Sequence, residues 1–327
     1  MTRGSPNNAG RRFLVGSMWL GAMLALAGGT LFASGQAMAV GTTINVCPSC
    51  TYTTIQSAIA AAGSGARVQI APGTYSGPLS IDKSLTLRGA GADQTSVSGG
   101  SPVVTIAAVS AVKVTIEGIT ITGGDSGIET TGGTVKLRNS LITQNGPYGG
   151  IYVGGGTVTL HNSPVTDNSG SEGGGIDQSA GSVTLYDSPV TANEATDGGG
   201  IEVSGGGLFS IHKSAISGNT ASGLMSPSVS YGGQGGGIYV LGSGVLRIER
   251  SPVTNNSALT PVCTHCSSTG SAGGGIDNAG TAILTKSPVT SNSATGGDGG
   301  GIYNVGMLTL KKSPVTDNSP DDCYPAC

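Results

Sequence analysis

Aromatic side chains are nearly absent. The 327 residues include one tryptophan and three phenylalanines. Trp19, Phe13 and Phe32 all fall within residues 1–39, which leaves Phe209 alone beyond them. A conventional globular core is hard to fill without such rings, whereas a stack of thin aliphatic layers needs none. Clustered positive charge is missing too. Arg3, Arg11 and Arg12 stand in the first 39 residues, and residues 40–327 carry 12 basic against 18 acidic side chains, a net charge of −6. Phosphate backbones and anionic membranes require grouped Lys and Arg, so nucleic acid is excluded as a partner.

A second long apolar run is also lacking. The only one, from Phe13 to about Ala27, is broken by glycine and shorter than the ~20 residues a spanning helix needs. It comes after the three arginines and precedes Ala37-Met38-Ala39, the small-x-small pattern of a signal-peptidase site. Residues 1–39 therefore read as a secretory signal; the alternative is a transmembrane anchor. Arg11-Arg12 leaves the twin-arginine export route open beside the general one. The mature chain is expected to be secreted or at the cell surface, with no membrane span.

What is present is repetition. Gly-Gly-Gly-Ile occurs at 173–176, 198–201, 235–238, 273–276 and 299–302, and Gly-Gly-Ile at 149–151. A second phrase, typified by Ser-Pro-Val-Thr-Asp-Asn at 163–168, alternates with it. Its serines are Ser140, Ser163, Ser188, Ser214, Ser251, Ser287 and Ser313, at intervals of 23, 25, 26, 37, 36 and 26. A Leu or Ile stands three residues before each serine, an Ile or Val two after it, and an asparagine five after it, from Asn145 to Asn318. Each unit thus holds three short strands of period two, separated by turns. A period in the twenties with this content marks a solenoid. Three strands per turn of chain can wind into a parallel β-helix, each coil pairing with the next ~4.8 Å along the axis. The Leu, Val and Ile columns then stack inside. The asparagines take the corners, where they tolerate left-handed geometry and bond to the next coil. The prolines (Pro164, Pro189, Pro252, Pro288 and Pro314) lack an N–H and belong at strand starts.

The stretch TTIQSAIAAAG (53–63) offers a capping box in Thr53 and Gln56, with Ile55, Ala58, Ile59 and Ala62 on one helical face. Such a helix can cover the open end of the core. It leads into VQIAPGTY (68–75) and SLTLRGAG (84–91). These strings resemble the opening of the right-handed parallel β-helix proteins of the pectin-lyase-like superfamily. The Gly-Gly-aliphatic and Ser-Pro-Val-Thr-x-Asn phrases resemble the repeats of polymorphic outer-membrane proteins, with Val in place of Phe. The resemblance covers about residues 50–318. It implies an all-β, single-stranded, right-handed parallel β-helix of roughly ten coils with a short N-terminal capping helix. The expected segments are 1–39, signal; 40–65, N-terminal segment and capping helix; 66–318, β-helix; and 319–327, C-terminal tail. The superfamily includes lyases, hydrolases, esterases and adhesins, so the resemblance fixes no function. Its catalytic strings are not found: there is no Gly-His-Gly and no Arg-Ile-Lys, and Asp321-Asp322 is the only Asp pair.

The residue after each repeat Ile varies. In a strand, side chains alternate, so if Ile points inward the next residue points outward. That column reads Tyr152, Asp177, Glu202, Tyr239, Asp277 and Tyr303. Asp177 and Glu202 would stand on neighbouring coils, where two carboxylates repel unless wet, metal-bound or sharing a proton. The column is read either as a plain solvated face or as a strip that binds polysaccharide, a surface partner or a cation. Its carboxylate pair also admits polysaccharide lyase or glycoside hydrolase chemistry. No cofactor is implied, and calcium has no motif to hold it. Two insertions, 220–234 and 257–272, fall at the same corner of adjacent coils and would form a wall beside the strip. A second outward column (Arg138, His161, Tyr186, His212, Glu249, Thr285 and Lys311) reads as surface; a full coil separates its two histidines.

Cysteines come in three local pairs: Cys47 with Cys50, Cys263 with Cys266, and Cys323 with Cys327. In a secreted chain this spacing reads as disulfides. Cys47-Pro-Ser-Cys50 before a helix leaves a redox reading open. Cys263-Thr-His265-Cys266 leaves a zinc reading open that would need a fourth ligand from elsewhere.

Overall fold

Strands in the computed structural model pair in parallel from each coil to the next, apart from one antiparallel hairpin. The structure describes residues 41–106, 111–262 and 267–327. The leader 1–39 and the Cys263–Cys266 pair lie outside them. Three ladders run the length of the described chain, as the repeat predicts. The repeat isoleucines form the first: Ile128, Ile151, Ile176, Ile201, Ile238, Ile276 and Ile302 pair in register and are all buried. The second carries the Leu/Ile column. The third, with the Ile/Val column after each proline, has ten strands, one per coil. The first two ladders merge into single strands at Ile128–Arg138, Ile151–His161 and Ile176–Tyr186, with register shifts at the glycine-rich middle of the first two of these pairings.

A fourth ladder goes beyond the three-strand reading. Glu194–Ala195, Thr220–Ala221, Ser257–Leu259 and Ser293–Thr295 pair in a sheet of their own just after each asparagine. Their inward residues are Ala195, Ala221, Ala258 and Ala294, all buried. Alanine is small enough to sit close to the corner where the asparagines already fill space.

Those asparagines are tied coil to coil. The Asn168 N–H and Nδ2 both donate to Asn193 Oδ1 at 3.0 Å, and Nδ2 also reaches the Ile142 carbonyl at 3.1 Å. The pattern repeats through Asn193, Asn219, Asn256 and Asn292. It ends where Asp322 Oδ1 accepts from Asn318 N–H and Nδ2, each at 3.0 Å, in the place of a further asparagine. The serines make a second polar ladder, each backbone N–H donating to the next serine's Oγ, as Ser188 does to Ser214 at 2.9 Å. The left-handed corner residue is not the asparagine, contrary to the expectation from sequence. It is the residue before: Gln144, Asp167, Ala192, Asn255, Ser291 and Asp317 have φ between 54° and 61°. The residue before each serine is left-handed as well, with φ of 47° to 54° from Asn139 to Lys312. Two such corners per coil turn the chain and aim the next polar side chain inward, where it bonds rather than bends.

Both ends differ in detail from the expectation. The helix runs Ile55–Ala61 and its N-cap is Thr54, whose Oγ1 accepts from Ser57 N–H at 3.2 Å. Thr53 and Gln56 therefore form no capping box. Gln56 instead bonds the backbone of Ser80, accepting from its N–H at 2.9 Å. Ile55, Ala58 and Ile59 are buried against the first coil. Thr43–Val46 adds an edge strand beside Ala66–Ile70. At the other end Cys323–Tyr324 pairs with Ile302–Asn304, so the tail extends the first ladder. Disulfides join Cys47 to Cys50 and Cys323 to Cys327.

The buried asparagine column generates a test. Asn219→Ala removes the acceptor used by Asn193 and leaves buried donors unpaired, which should cost roughly 2–4 kcal/mol of unfolding free energy. Exposed Glu194→Ala on the preceding coil should cost under ~0.5 kcal/mol. Denaturant unfolding followed by circular dichroism measures both; equal stabilities would show that the ladder holds nothing.

Candidate functional site

The first glycine of each run sets up the site. Gly173, Gly198, Gly235, Gly273 and Gly299 all have φ between 54° and 65°. In that conformation the chain folds back over the residue four positions on. A Cβ on Gly198 would stand 3.0 Å from Glu202 Cβ, and one on Gly235 would stand 2.7 Å from Tyr239 N. The glycine run thus roofs the base of the variable residue at its end, and only glycine leaves room.

The variable residues form one in-register column. Tyr152 pairs with Asp177, Asp177 with Glu202, Glu202 with Tyr239, Tyr239 with Asp277, and Asp277 with Tyr303. The column also continues to residues the repeat did not announce: Glu129 beside Tyr152, and Tyr324 beside Tyr303 with rings stacked at 5.6 Å. Glu129 sits in a coil without the full glycine phrase, so only its register reveals it.

The column is not the open solvated face that alternation suggests. Glu202 and Asp277 are each only 4% exposed, and Tyr152, Asp177, Tyr239 and Tyr303 are half-buried. Alternation gives direction; it does not give cover. The cover comes from the glycine roofs and from the insertions. Val229–Tyr231 pairs with Leu224–Met225 in a hairpin and with Ser267–Thr269 of the second insertion. The two insertions therefore stack into a wall, as their spacing predicts.

One cleft opens along the column and another against the wall. One of about 380 Å³ is lined by Glu129, Tyr148, Tyr152, Glu172 and Asp177, among others. Tyr148 is 63% exposed at its rim. The other, about 300 Å³, lies against the wall, between Asp197, Leu224, Tyr231, Gln234 and Thr269. Among the described residues no Lys or Arg lines either cleft. Asp197 occupies the repeat position held by Glu172 on the preceding coil, with which it pairs. It sits one residue before the glycine run, where its Oδ1 accepts from Gln234 N–H at 2.8 Å.

Electrostatics joins the acids into one group. Burial first, then the Glu172 charge, pushes Asp177 up to about 7. Burial, then Glu172, Asp177 and Asp197, pushes Glu202 up to about 8. Burial, then Asp197, pushes Asp277 up to about 7. Burial also raises Asp197, against the Gln234 hydrogen bond that lowers it. Tyr239, buried and facing Asp277, Asp197 and Glu202, is raised to about 12. The repulsion between Asp177 and Glu202 falls on whichever loses its proton second. Asp177 Oδ1 is fully buried and has no hydrogen-bond partner. Among the described residues no group of three or more His, Cys, Asp or Glu has the spacing of a metal site.

The second outward column is ordered in its own way. His161, Tyr186 and His212 stack face to face, with centroids 4.8 Å and 5.0 Å apart. His212 Nδ1 lies 3.4 Å from Glu249 Oε2. The ring faces are spent on one another, which leaves edges for solvent.

A family model described as "Right handed beta helix region" matches residues 95–230. The crystal structure of pectate lyase Pel9A superposes with a TM-score of 0.51 at 16% identity, over 90% of this chain and 82% of that one. The chain is a right-handed parallel β-helix, the fold it shares with that pectate lyase. Pectin methylesterase from Aspergillus niger gives 0.48 at 15% identity, covering 89% of this chain and 91% of that one. Pectin methylesterase PemA from Erwinia chrysanthemi gives 0.44 at 13%, covering 86% and 92%. At these identities the likeness is one of fold alone. No curated protein matches the chain in sequence. Among the described residues of this β-helix no helix is long and apolar enough to cross a membrane.

The raised acids make stability fall with pH. Each binds its proton more tightly folded than unfolded, where ordinary values of about 4 apply. Between pH ~4 and the folded values of about 7 to 8, rising pH therefore removes stability. Melting temperature should drop as pH goes from about 5 to about 8.5. Glu202→Gln should flatten that drop and raise the melting temperature at the alkaline end by about 2–4 °C, for ~1 kcal/mol regained. Differential scanning calorimetry across this range reads it; a profile that rises with pH would refute the burial of these carboxyls.

Proposed function

We propose that the protein is a secreted or cell-surface β-helix that binds a carbohydrate chain along the column from Glu129 to Tyr303. The observation that carries this is the cleft of about 380 Å³ in which two tyrosines, Tyr148 and Tyr152, stand beside the carboxyls of Glu129 and Asp177. Tyrosine offers a flat apolar face for a sugar ring and a hydroxyl at its tip. Carboxyls accept hydrogen bonds from sugar hydroxyls. The cleft spans successive coils of one ladder, from Glu129 through Tyr152 to Asp177, which suits an extended ligand more than a compact one. The pectate lyase of the same fold is named for a polysaccharide substrate, which supports a glycan as the ligand class. The two disulfides fit an oxidising compartment.

A second reading is favoured by one observation. Asp177 and Glu202 stand on paired strands with values of about 7 and 8. Backbones so paired are ~4.8 Å apart. One carboxyl that keeps its proton near neutral pH beside one that can give it up is the arrangement acid–base glycoside cleavage uses. In that reading Glu202 protonates the leaving glycosidic oxygen and Asp177 acts on the sugar carbon or on water.

Retention on a panel of immobilised polysaccharides, with assay for new chain ends, separates the two. If the cleft only binds, no new ends form, and Tyr152→Ala weakens retention by roughly 5- to 30-fold, for ~1–2 kcal/mol of lost ring packing. If it cleaves, new ends form, and Asp177→Asn or Glu202→Gln removes them while retention survives. Retention unchanged in Tyr152→Ala would remove the column from the binding surface.

A further inference from the structure

In the asparagine and serine columns of this solenoid every side chain is bonded, although elsewhere Gln178 Oε1 and Asn278 Oδ1 are also buried without a partner among the described residues. The asparagines use N–H, Nδ2 and Oδ1, and the serines use N–H and Oγ. The acids beside the clefts break that rule. Asp177 Oδ1 is buried with no partner. Glu202 and Asp277 are each 4% exposed. A buried carboxyl without donors costs free energy that folding has no reason to accept unless donors arrive from outside.

We infer that the cleft takes a glycan carrying protonated amino groups, an aminosugar chain, in preference to a neutral or uronate chain. The inference rests on the carbohydrate reading and sharpens it. Glu129, Glu172, Asp177, Asp197, Glu202 and Asp277 succeed one another along the column and its rim, and among the described residues no Lys or Arg lines either cleft. A uronate chain would bring negative charge to this row with nothing to pair it, and like charges at close range repel. A neutral chain would bring hydroxyls, each with one proton to donate. An ammonium group brings three donors and a compensating charge, and hydrogen bonds between ions of opposite sign are about twice as strong as neutral ones. Tyr148 and Tyr152 supply the apolar contact for the ring that carries it. A sugar ring whose amine is acetylated keeps that contact but loses the charge.

The burial that holds these carboxyls protonated in the free protein supports the same choice. An arriving ammonium favours their ionised form, so binding should release protons from the group formed by Asp177, Glu202 and Asp277 with Glu172, Asp197 and Tyr239 around it. A neutral sugar would release none.

The test is isothermal calorimetry on the full chain with four probes: a glucosamine hexamer, the same hexamer fully N-acetylated, a galacturonate hexamer and a lysine hexamer. The glucosamine hexamer should bind at least about tenfold more tightly than its acetylated form, and its measured heat should change with buffer ionisation enthalpy as protons leave. That preference should shrink between about 0.05 M and about 0.5 M salt. Glu202→Gln should reduce it. Glu172→Gln, at an exposed position with little bearing on folding, should reduce it in the same direction. Tyr152→Ala should weaken both sugar hexamers alike. Equal affinity for the acetylated hexamer, or preference for galacturonate, would overturn the inference and leave the carbohydrate reading standing. A lysine hexamer bound as tightly as glucosamine, with Tyr152→Ala silent, would overturn it in favour of plain polycation capture. Failure to bind any sugar would end both readings.

Discussion

Parallel pairing in register is the constraint on which the rest depends. Each coil repeats the one before at a spacing of ~4.8 Å, so whatever residue type occupies a corner meets its own kind above and below. For aliphatic residues that is an advantage, since identical shapes stack without gaps. For amides and hydroxyls it is also an advantage, because each is both donor and acceptor: Asn168 donates to Asn193, which donates to Asn219. For carboxyls it is a liability, because an ionised acid only accepts. Where the asparagine ladder does end in an acid, at Asp322, the acid sits at the end of the series and receives without having to give.

That asymmetry explains how the outward column is arranged. Along the axis it runs Glu129, Tyr152, Asp177, Glu202, Tyr239, Asp277, Tyr303 and Tyr324. Tyrosines separate the acids everywhere but at Asp177 and Glu202. A tyrosine between two carboxyls spaces their charges by two coils, ~9.6 Å, about the screening distance in dilute salt. The glycine roofs act in the opposite direction. By folding back over Glu202 and Asp277 they remove the water that would screen the charge, and the proton stays on instead.

The columns themselves were legible in the sequence, because a solenoid turns spatial stacking into simple periodicity. Ile201 inward and Glu202 on the opposite face come from counting, and the structure keeps both phases. So does the stacking of the two insertions, which needed only equal offsets. What was not legible depends on short-range sterics that periodicity does not carry. The left-handed residue sits before the asparagine because the corner must turn before the amide can point inward. The helix starts one residue later than its capping-box signature, since Gln56 finds a better partner in the backbone of Ser80. The burial of Glu202 comes from the conformation of Gly198, and no pattern of letters states a dihedral angle. Asp197 belongs to a column that the repeat does carry, the residue before each glycine run, where it pairs with Glu172.

Within this column the one adjacent pair of acids, Asp177 and Glu202, is therefore the informative feature. A solvated face on this scaffold has cheaper solutions, and the same chain uses them: the column through Thr159 and Thr184 carries threonine on paired strands, and Tyr186 separates His161 from His212 in the column beside it. The column with the clefts places Asp177 and Glu202 side by side, buries them and gives Asp177 Oδ1 no donor. Relief could come from within the chain, through a lysine or arginine on the wall, yet the insertions that build the wall pocket bring Tyr231, Gln234 and Thr269 instead. On the proposed reading, the compensating positive charge comes from the ligand. On that reading, a carboxyl without a donor until the ligand supplies one lets this scaffold distinguish its ligand from solvent.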